Sequence, residues 1–316
     1  MSIRTQKINP ENDLGFGPQP VIKNQPLLNK DGSVNIKRRG LSRFNTADTY
    51  HTLITMSWSK FWVVVLSGYL FTNLVFATAY VVIGKESLDG TSAHNGMSHY
   101  LDAFFFSAQT ISTVGYGHIN PKGVVANSIA AFESMLGLLA FALATGLLYG
   151  RFSKPSAKII YSENILVAPY RDGGKGLMFR LANMRKNVLI DLFVEVVFSY
   201  NEVVDGKPVR RFFPLTLERK NVSLLTLNWT VVHPLDENSP LVDMTNEELI
   251  RNEAGFSVLL KAFDDTFSQT VHSRTAYTAA DLVWNARFMP MFSRDEDGRI
   301  VLYLDKLNEF EKSDHV

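Results

Sequence analysis

The sequence predicts a membrane α plus all-β protein, two transmembrane helices followed by a β-sandwich, and three observations carry that reading. Residues 61–83 run without one charge. Residues 123–150 hold a single charge, Glu133. Each stretch exceeds the roughly 20 residues that cross a bilayer. After Lys154 the pattern changes to short runs rich in Val, Ile, Leu and Phe, punctuated by Gly, Asn, Asp and Pro.

Composition sets the outer bounds. At about 150 residues per domain, 316 residues suggest about two domains. A hydrophobic content of 46% with zero mean hydropathy excludes a chain apolar throughout. It leaves room for two spans diluted by a polar domain. Lys plus Arg number 32 against 31 Asp plus Glu, so a net charge of +1 gives no nucleic-acid footprint. With no cysteine, disulfides, thiolate nucleophiles and cysteine metal sites are excluded. The histidines show no metal-ligand spacing, and no phosphate loop, Ser/His/Asp set or carboxylate pair supports an enzyme.

Taken in chain order, residues 1–45 are rich in Asn, Pro, Gly and Lys without periodicity, which reads as a cytoplasmic arm with no core of its own. They lack the pattern of a cleaved signal, so the first span is expected to be retained. From Asp48, Tyr50, Leu53, Ile54 and Trp58 fall at helical spacing, which predicts an amphipathic helix lying in the interface over 46–59. Residues 60–154 form the expected pore domain, with spans at 61–83 and 123–150. Lys30, Lys37, Arg38, Arg39, Arg43 and Lys60 precede the first span, and Arg151, Lys154 and Lys158 follow the second. Only Lys85 and Lys122 lie between the spans, so both termini are expected to be cytoplasmic in a multi-pass cell (inner) membrane protein. Between the spans, the apolar run 101–111 is too short to cross and suits a re-entrant helix, placed at 101–112. In 155–316, runs at 164–168, 177–181, 192–200, 211–217, 225–232, 256–263 and 300–304 read as strands, with turns at Gly173-Gly174, Asp205-Gly206 and Asp297-Gly298. One helix is expected at 246–252, opened by a Thr245/Glu248 capping box.

The chemistry sits in Thr113-Val114-Gly115-Tyr116-Gly117, between the short helix and the second span. Successive carbonyls aimed at one axis can replace the hydration shell of K⁺. That path needs backbone conformations that a β-carbon resists, and Gly115 and Gly117 accept them. Thr113 adds a hydroxyl, and Tyr116 braces the loop. K⁺ is therefore expected at Thr113, Val114, Gly115 and Tyr116, with no organic cofactor. Each chain carries one filter segment and a ring needs four, so a homotetramer is expected.

This layout resembles the inward-rectifier potassium channels, and the prokaryotic (KirBac) branch most closely. The segments MFRLANMRK (178–186), WTVVHPLDENSPLVD (229–243) and RTAYTAADLVWNAR (274–287) are similar to that family's signatures, as is YGRFSKP (149–155) at the end of the second span. The resemblance implies an immunoglobulin-like cytoplasmic domain. It also implies a gate of converging Tyr149 side chains; the alternative is an interfacial aromatic. Phe141 stands where strongly rectifying relatives carry an acid. Asp191 matches a cytoplasmic pore acid, so the pore block by Mg²⁺ or polyamines that it implies is weak. Lys60, Arg151, Lys154, Lys158, Arg185 and Lys186 are implied sites for anionic phospholipid, in line with the pull of anionic headgroups on juxtamembrane bases.

Three positions keep two readings. Glu133 is either a pore-lining acid or a neutral packing residue behind the pore helix. Gly137 and Gly146 are either hinges or points of close helix packing. Two rival functions also stand, a weakly selective cation channel and a membrane-anchored β-sandwich that binds a partner.

Overall fold

The structure, a computed structural model, describes residues 28–35, 47–91, 96–154, 157–204 and 206–312. Lys37, Arg38, Arg39, Arg43 and the Asp205 side of the expected turn lie outside these, as does most of the N-terminal arm. The described residues divide into two compact units, 47–154 and 28–35 with 157–312.

Helices build the first unit. α1 (Ala47–Thr55) stops before Trp58, because Ser57 adopts an extended ψ of 152° and opens α2 (Trp58–Ile83) instead. The helix expected over 46–59 is thus shorter than expected, and Trp58 and Lys60 belong to α2. α3 (Gly96–Ile111) is the short helix between the spans, starting earlier than the apolar run because its first turn is polar. α4 (Gly123–Phe152) runs past the second apolar stretch by two residues, and its last turn closes with Ser153 N donating to the Tyr149 carbonyl. Both α2 and α4 are long and apolar enough to cross a membrane. A two-residue ladder, β1 (Leu88–Asp89) with β2 (Asn120–Pro121), ties the loop after α2 to the one before α4. Phe76, Ala77, Tyr80, Leu88, Ala103 and Phe106 form the core where α2 and α3 meet.

The second unit is a sandwich of two five-stranded sheets. One contains β3 (Ile159–Tyr161), β4 (Ile165–Pro169), β5 (Lys175–Asn183), β9 (Asn228–Pro234) and β12 (Leu282–Trp284). The other contains β6 (Leu189–Val204), β7 (Lys207–Pro214), β8 (Asn221–Leu225), β10 (Gly255–Asp264) and β11 (Gln269–Thr278). Inward residues of both sheets, among them Val167, Phe179, Val231, Val196, Phe198 and Leu260, close into one apolar core. Two small ladders follow, β13 (Ala286–Phe288) with β16 (Phe310–Lys312) and β14 (Phe292–Arg294) with β15 (Ile300–Leu302). The helix α5 (Asn246–Arg251) carries the expected capping box, Thr245 and Glu248 each bonding the other's backbone N–H.

Two expectations need correction. The run 225–232 is two strands, β8 and β9, which pair with β6 and β5 in different sheets. The strand expected at 211–217 is β7, which begins at Lys207 and ends at Pro214. β11 was absent from the sequence reading because its first half is mostly polar, with Val271 its one buried apolar residue. It forms because ten successive residues pair with β10.

Part of the arm is docked as well. Leu28 bridges Val34 across a turn, the Lys30 carbonyl accepts from Thr275 Oγ1 at 3.0 Å, and Lys30 Nζ pairs with Asp281 at 2.5 Å. The segment shares the sandwich's surface although it has no core of its own.

Candidate functional site: the filter loop and its supports

The end of α3 shapes the loop. An α-helix leaves its last carbonyls without intrahelical partners. The carbonyl of Gln109 accepts from Val114 N at 2.9 Å and Gly115 N at 3.4 Å, and the Thr110 carbonyl accepts from Thr113 N at 3.1 Å. From that anchor the chain alternates: Thr113, Gly115 and Gly117 all take the left-handed conformation, at φ of 60°, 55° and 77°. A β-carbon opposes this at each position, which suits the two glycines and strains Thr113. Asn120 Nδ2 donates to the Gly117 carbonyl at 3.0 Å and holds the far end. Val114 and Tyr116 remain exposed in the protomer.

The supports of α4 are specific. Glu133 is wholly buried, accepting from Tyr80 Oη at 2.7 Å and lying against Ser107 Oγ. It therefore lines no open surface, and the pore-lining reading gives way to a packing position behind α3. The reason is helix rotation, which apolar periodicity on an all-apolar span cannot fix. Gly137 lies so close to the Ile111 carbonyl that any β-carbon would collide with it. Gly146 has open space around it. Tyr149 is 75% exposed on the last turns of α4.

Arg151 also departs from expectation. Its guanidinium donates to the carbonyls of Leu53, at 2.5 Å, and Met56, at 2.8 Å, and sits 4.5 Å from the Trp58 ring and 4.6 Å from the Phe61 ring. These are the free carbonyls at the end of α1, so the side chain grips protein instead of reaching outward as a lipid site. Lys60 and Lys154 are exposed. In the other unit Lys158 and Lys186 are exposed and Arg185 is half-buried. The Lys158 carbonyl accepts from Met184 N, which sets Lys158 beside the turn bearing Arg185 and Lys186. Asp191 is exposed with φ of 49°, at the irregularity where β6 slips against β10 between Lys261 and Phe263. A bulge of this kind re-aims a side chain out of the sheet.

The sequence reading missed Tyr80 and Ser107 as partners of Glu133, Asn73 as the partner of Ser107, and Trp58 as the partner of Arg151. The usable signal was the presence of an amide, Asn73, in an uncharged span, since polar groups at membrane depth seek one another.

Residues 159–316 match the model of the inward rectifier potassium channel C-terminal domain, and 64–154 match an ion channel model. The inward rectifier potassium channel Kirbac3.1 of Paramagnetospirillum magnetotacticum is 38% identical over 93% of this chain and 98% of its own. G protein-activated inward rectifier potassium channel 1 is 26% identical in Bos taurus and 25% in Homo sapiens. These matches cover 89% and 88% of this chain, which spans 61% and 59% of those longer proteins.

Proposed function

Because the chain belongs to the inward rectifier potassium channel family, we propose that it conducts K⁺ passively across the cell membrane through a homotetrameric pore. The observation that carries this is the filter loop, whose alternating left-handed residues start from the carbonyl end of α3. In a fourfold ring, the carbonyls of Thr113, Val114, Gly115 and Tyr116 and the Thr113 hydroxyl replace water around K⁺ as it passes. The carbonyl end of α3 adds negative potential on the path, which favours a cation. No step in this scheme makes or breaks a covalent bond.

The finer parts of the reading are gating and regulation. Tyr149, exposed at the end of α4, forms an apolar constriction with its three symmetry copies and closes the pore by dewetting. Both termini are cytoplasmic. Exposed Lys60, Lys154, Lys158 and Lys186 engage anionic phospholipid at the inner leaflet, each by about 1 kcal/mol. Asp191 supports weak block by Mg²⁺ or polyamines. Flux of K⁺ from reconstituted liposomes, with and without anionic phospholipid and against Na⁺, tests the whole scheme. Equal K⁺ and Na⁺ flux returns the weakly selective channel, and no flux in any lipid returns the binding module.

A further inference from the structure

Four side chains without solvent exposure, Asn73, Tyr80, Ser107 and Glu133, meet where α2, α3 and α4 cross. Tyr80 Oη donates to Glu133 Oε2 at 2.7 Å. Ser107 Oγ touches Glu133 Oε1 on one side and lies 3.0 Å from Asn73 Oδ1 on the other. Asn73 Nδ2 donates to the Tyr69 carbonyl at 2.7 Å. That carbonyl can only accept, so the Asn73 amide is fixed with Oδ1 toward Ser107.

The protons can now be counted. Three contacts join Tyr80 to Glu133, Glu133 to Ser107 and Ser107 to Asn73, and each needs one proton. With Glu133 ionised, the two hydroxyls supply only two protons. One buried contact would then set acceptor against acceptor, and the carboxylate would stand at membrane depth with no cation paired to it among the described residues. A proton on Glu133 Oε1 supplies the third. Each group then donates once in a directed chain from Tyr80 through Glu133, Ser107 and Asn73 to the Tyr69 carbonyl.

We propose that Glu133 is a neutral carboxylic acid whose proton completes this chain, and that in this form it positions the pore helix beneath the filter. Ser107 sits on the same helix as Gln109, whose carbonyl anchors Val114 and Gly115. One turn further along α4, Gly137 lies against the Ile111 carbonyl. The second span thus holds α3 twice, once by a hydrogen bond and once by backbone contact. The positioning half of this proposal rests on the channel reading, and the proton count stands without it.

The experiment compares wild type, Glu133→Gln and Glu133→Ala in liposomes. Infrared difference spectra of wild type against Glu133→Gln at neutral pH should show the carbonyl stretch of a protonated carboxyl, shifted in deuterium oxide. A Gln amide donates to Ser107 and accepts from Tyr80, so its tetramer-normalised K⁺ flux and K⁺/Na⁺ preference should stay within about twofold of wild type. Glu133→Ala leaves the buried Tyr80 hydroxyl without its acceptor and cuts the link from Ser107 to the second span, and should lower K⁺/Na⁺ preference by about tenfold or more. Absence of the protonated-carboxyl band overturns the proton count. A Gln variant as impaired as Ala, or an Ala variant with intact preference, overturns the positioning role. If Ala fails to assemble, the infrared and Gln arms still decide. Wild type that passes no K⁺ at all sinks the channel reading and leaves the infrared result to judge the proton.

Discussion

In the membrane unit, Phe71, Phe132, Leu138 and Leu143 stay exposed on the protomer, while Asn73, Ser107 and Glu133 are wholly buried. In the β-rich unit, Phe198, Leu192, Val258 and Leu260 fill the interior instead. The contrast follows from the two solvents. Hydrocarbon gives no drive to bury one apolar face against another, so packing and internal hydrogen bonds hold membrane helices together. Water does drive the sheets together, because apolar area removed from it is worth about 25 cal/mol per Å². Each unit should therefore break at a different kind of residue.

The largest effect is expected where backbone shape is itself the function. Gly115 has φ of 55° and open space around the position of a β-carbon, so Ala meets strain but no collision. Gly115→Ala should abolish K⁺ selectivity or conduction while tetramers still form, read by reversal potential and by gel filtration. Unchanged K⁺ preference would sink the filter assignment.

Next in size is a core truncation in the β-rich unit. The Phe198 ring packs 5.2 Å from Phe256 and 5.5 Å from Tyr200. Phe198→Ala should cost about 3–5 kcal/mol, measured by denaturant unfolding of that unit. A loss under about 1 kcal/mol would show that burial is not what holds the sandwich.

A smaller change is expected at Tyr149. A shorter side chain leaves a wider, wetter constriction, so Tyr149→Ala should raise basal K⁺ flux several-fold per tetramer. Unchanged flux with a lower melting temperature would make Tyr149 an interfacial aromatic instead.

The two units also differ in how much of them was legible beforehand. The spans were readable from composition, and the left-handed turns at Gly115 and Gly117 from residue type in context. What escaped was rotation: nothing on an apolar span says that Glu133 faces Ser107, or that Arg151 turns back onto α1. In the sandwich, alternation showed the central strands and the Thr245 cap. The break between β8 and β9 escaped because the bend at Thr226–Leu227 carries no Gly or Pro to mark it, although the two strands pair in different sheets. The docking of Lys30 onto Asp281 joins residues far apart in sequence, which no local pattern encodes.

The smallest effect belongs to a polar group that the β-rich unit buries. The His233 ring is 3% exposed, with Nδ1 2.7 Å from the Thr216 carbonyl and Nε2 2.8 Å from Ser239 Oγ. A carbonyl only accepts, so Nδ1 carries the proton and Nε2 accepts from the Ser239 hydroxyl. Ser239 Oγ in turn accepts from Leu241 N at 3.2 Å, which ties the ring to the loop before α5. Burial pushes the His233 pKa below its ordinary 6.5, with the Thr216 carbonyl and the Asp236 carboxylate opposing that shift. The unfolded chain binds a proton as pH falls through about 6.5, whereas the folded ring does so only at lower pH. The stabilisation is thus complete above that value and declines as pH drops through the window beneath it. Thermal unfolding of the β-rich unit should be level between about pH 7 and 8 and should fall by a few degrees toward about pH 5.5. His233→Gln should start from a lower melting temperature and lose that slope. A slope of equal size in the Gln variant would assign the acid sensitivity to other groups and leave His233 as packing alone.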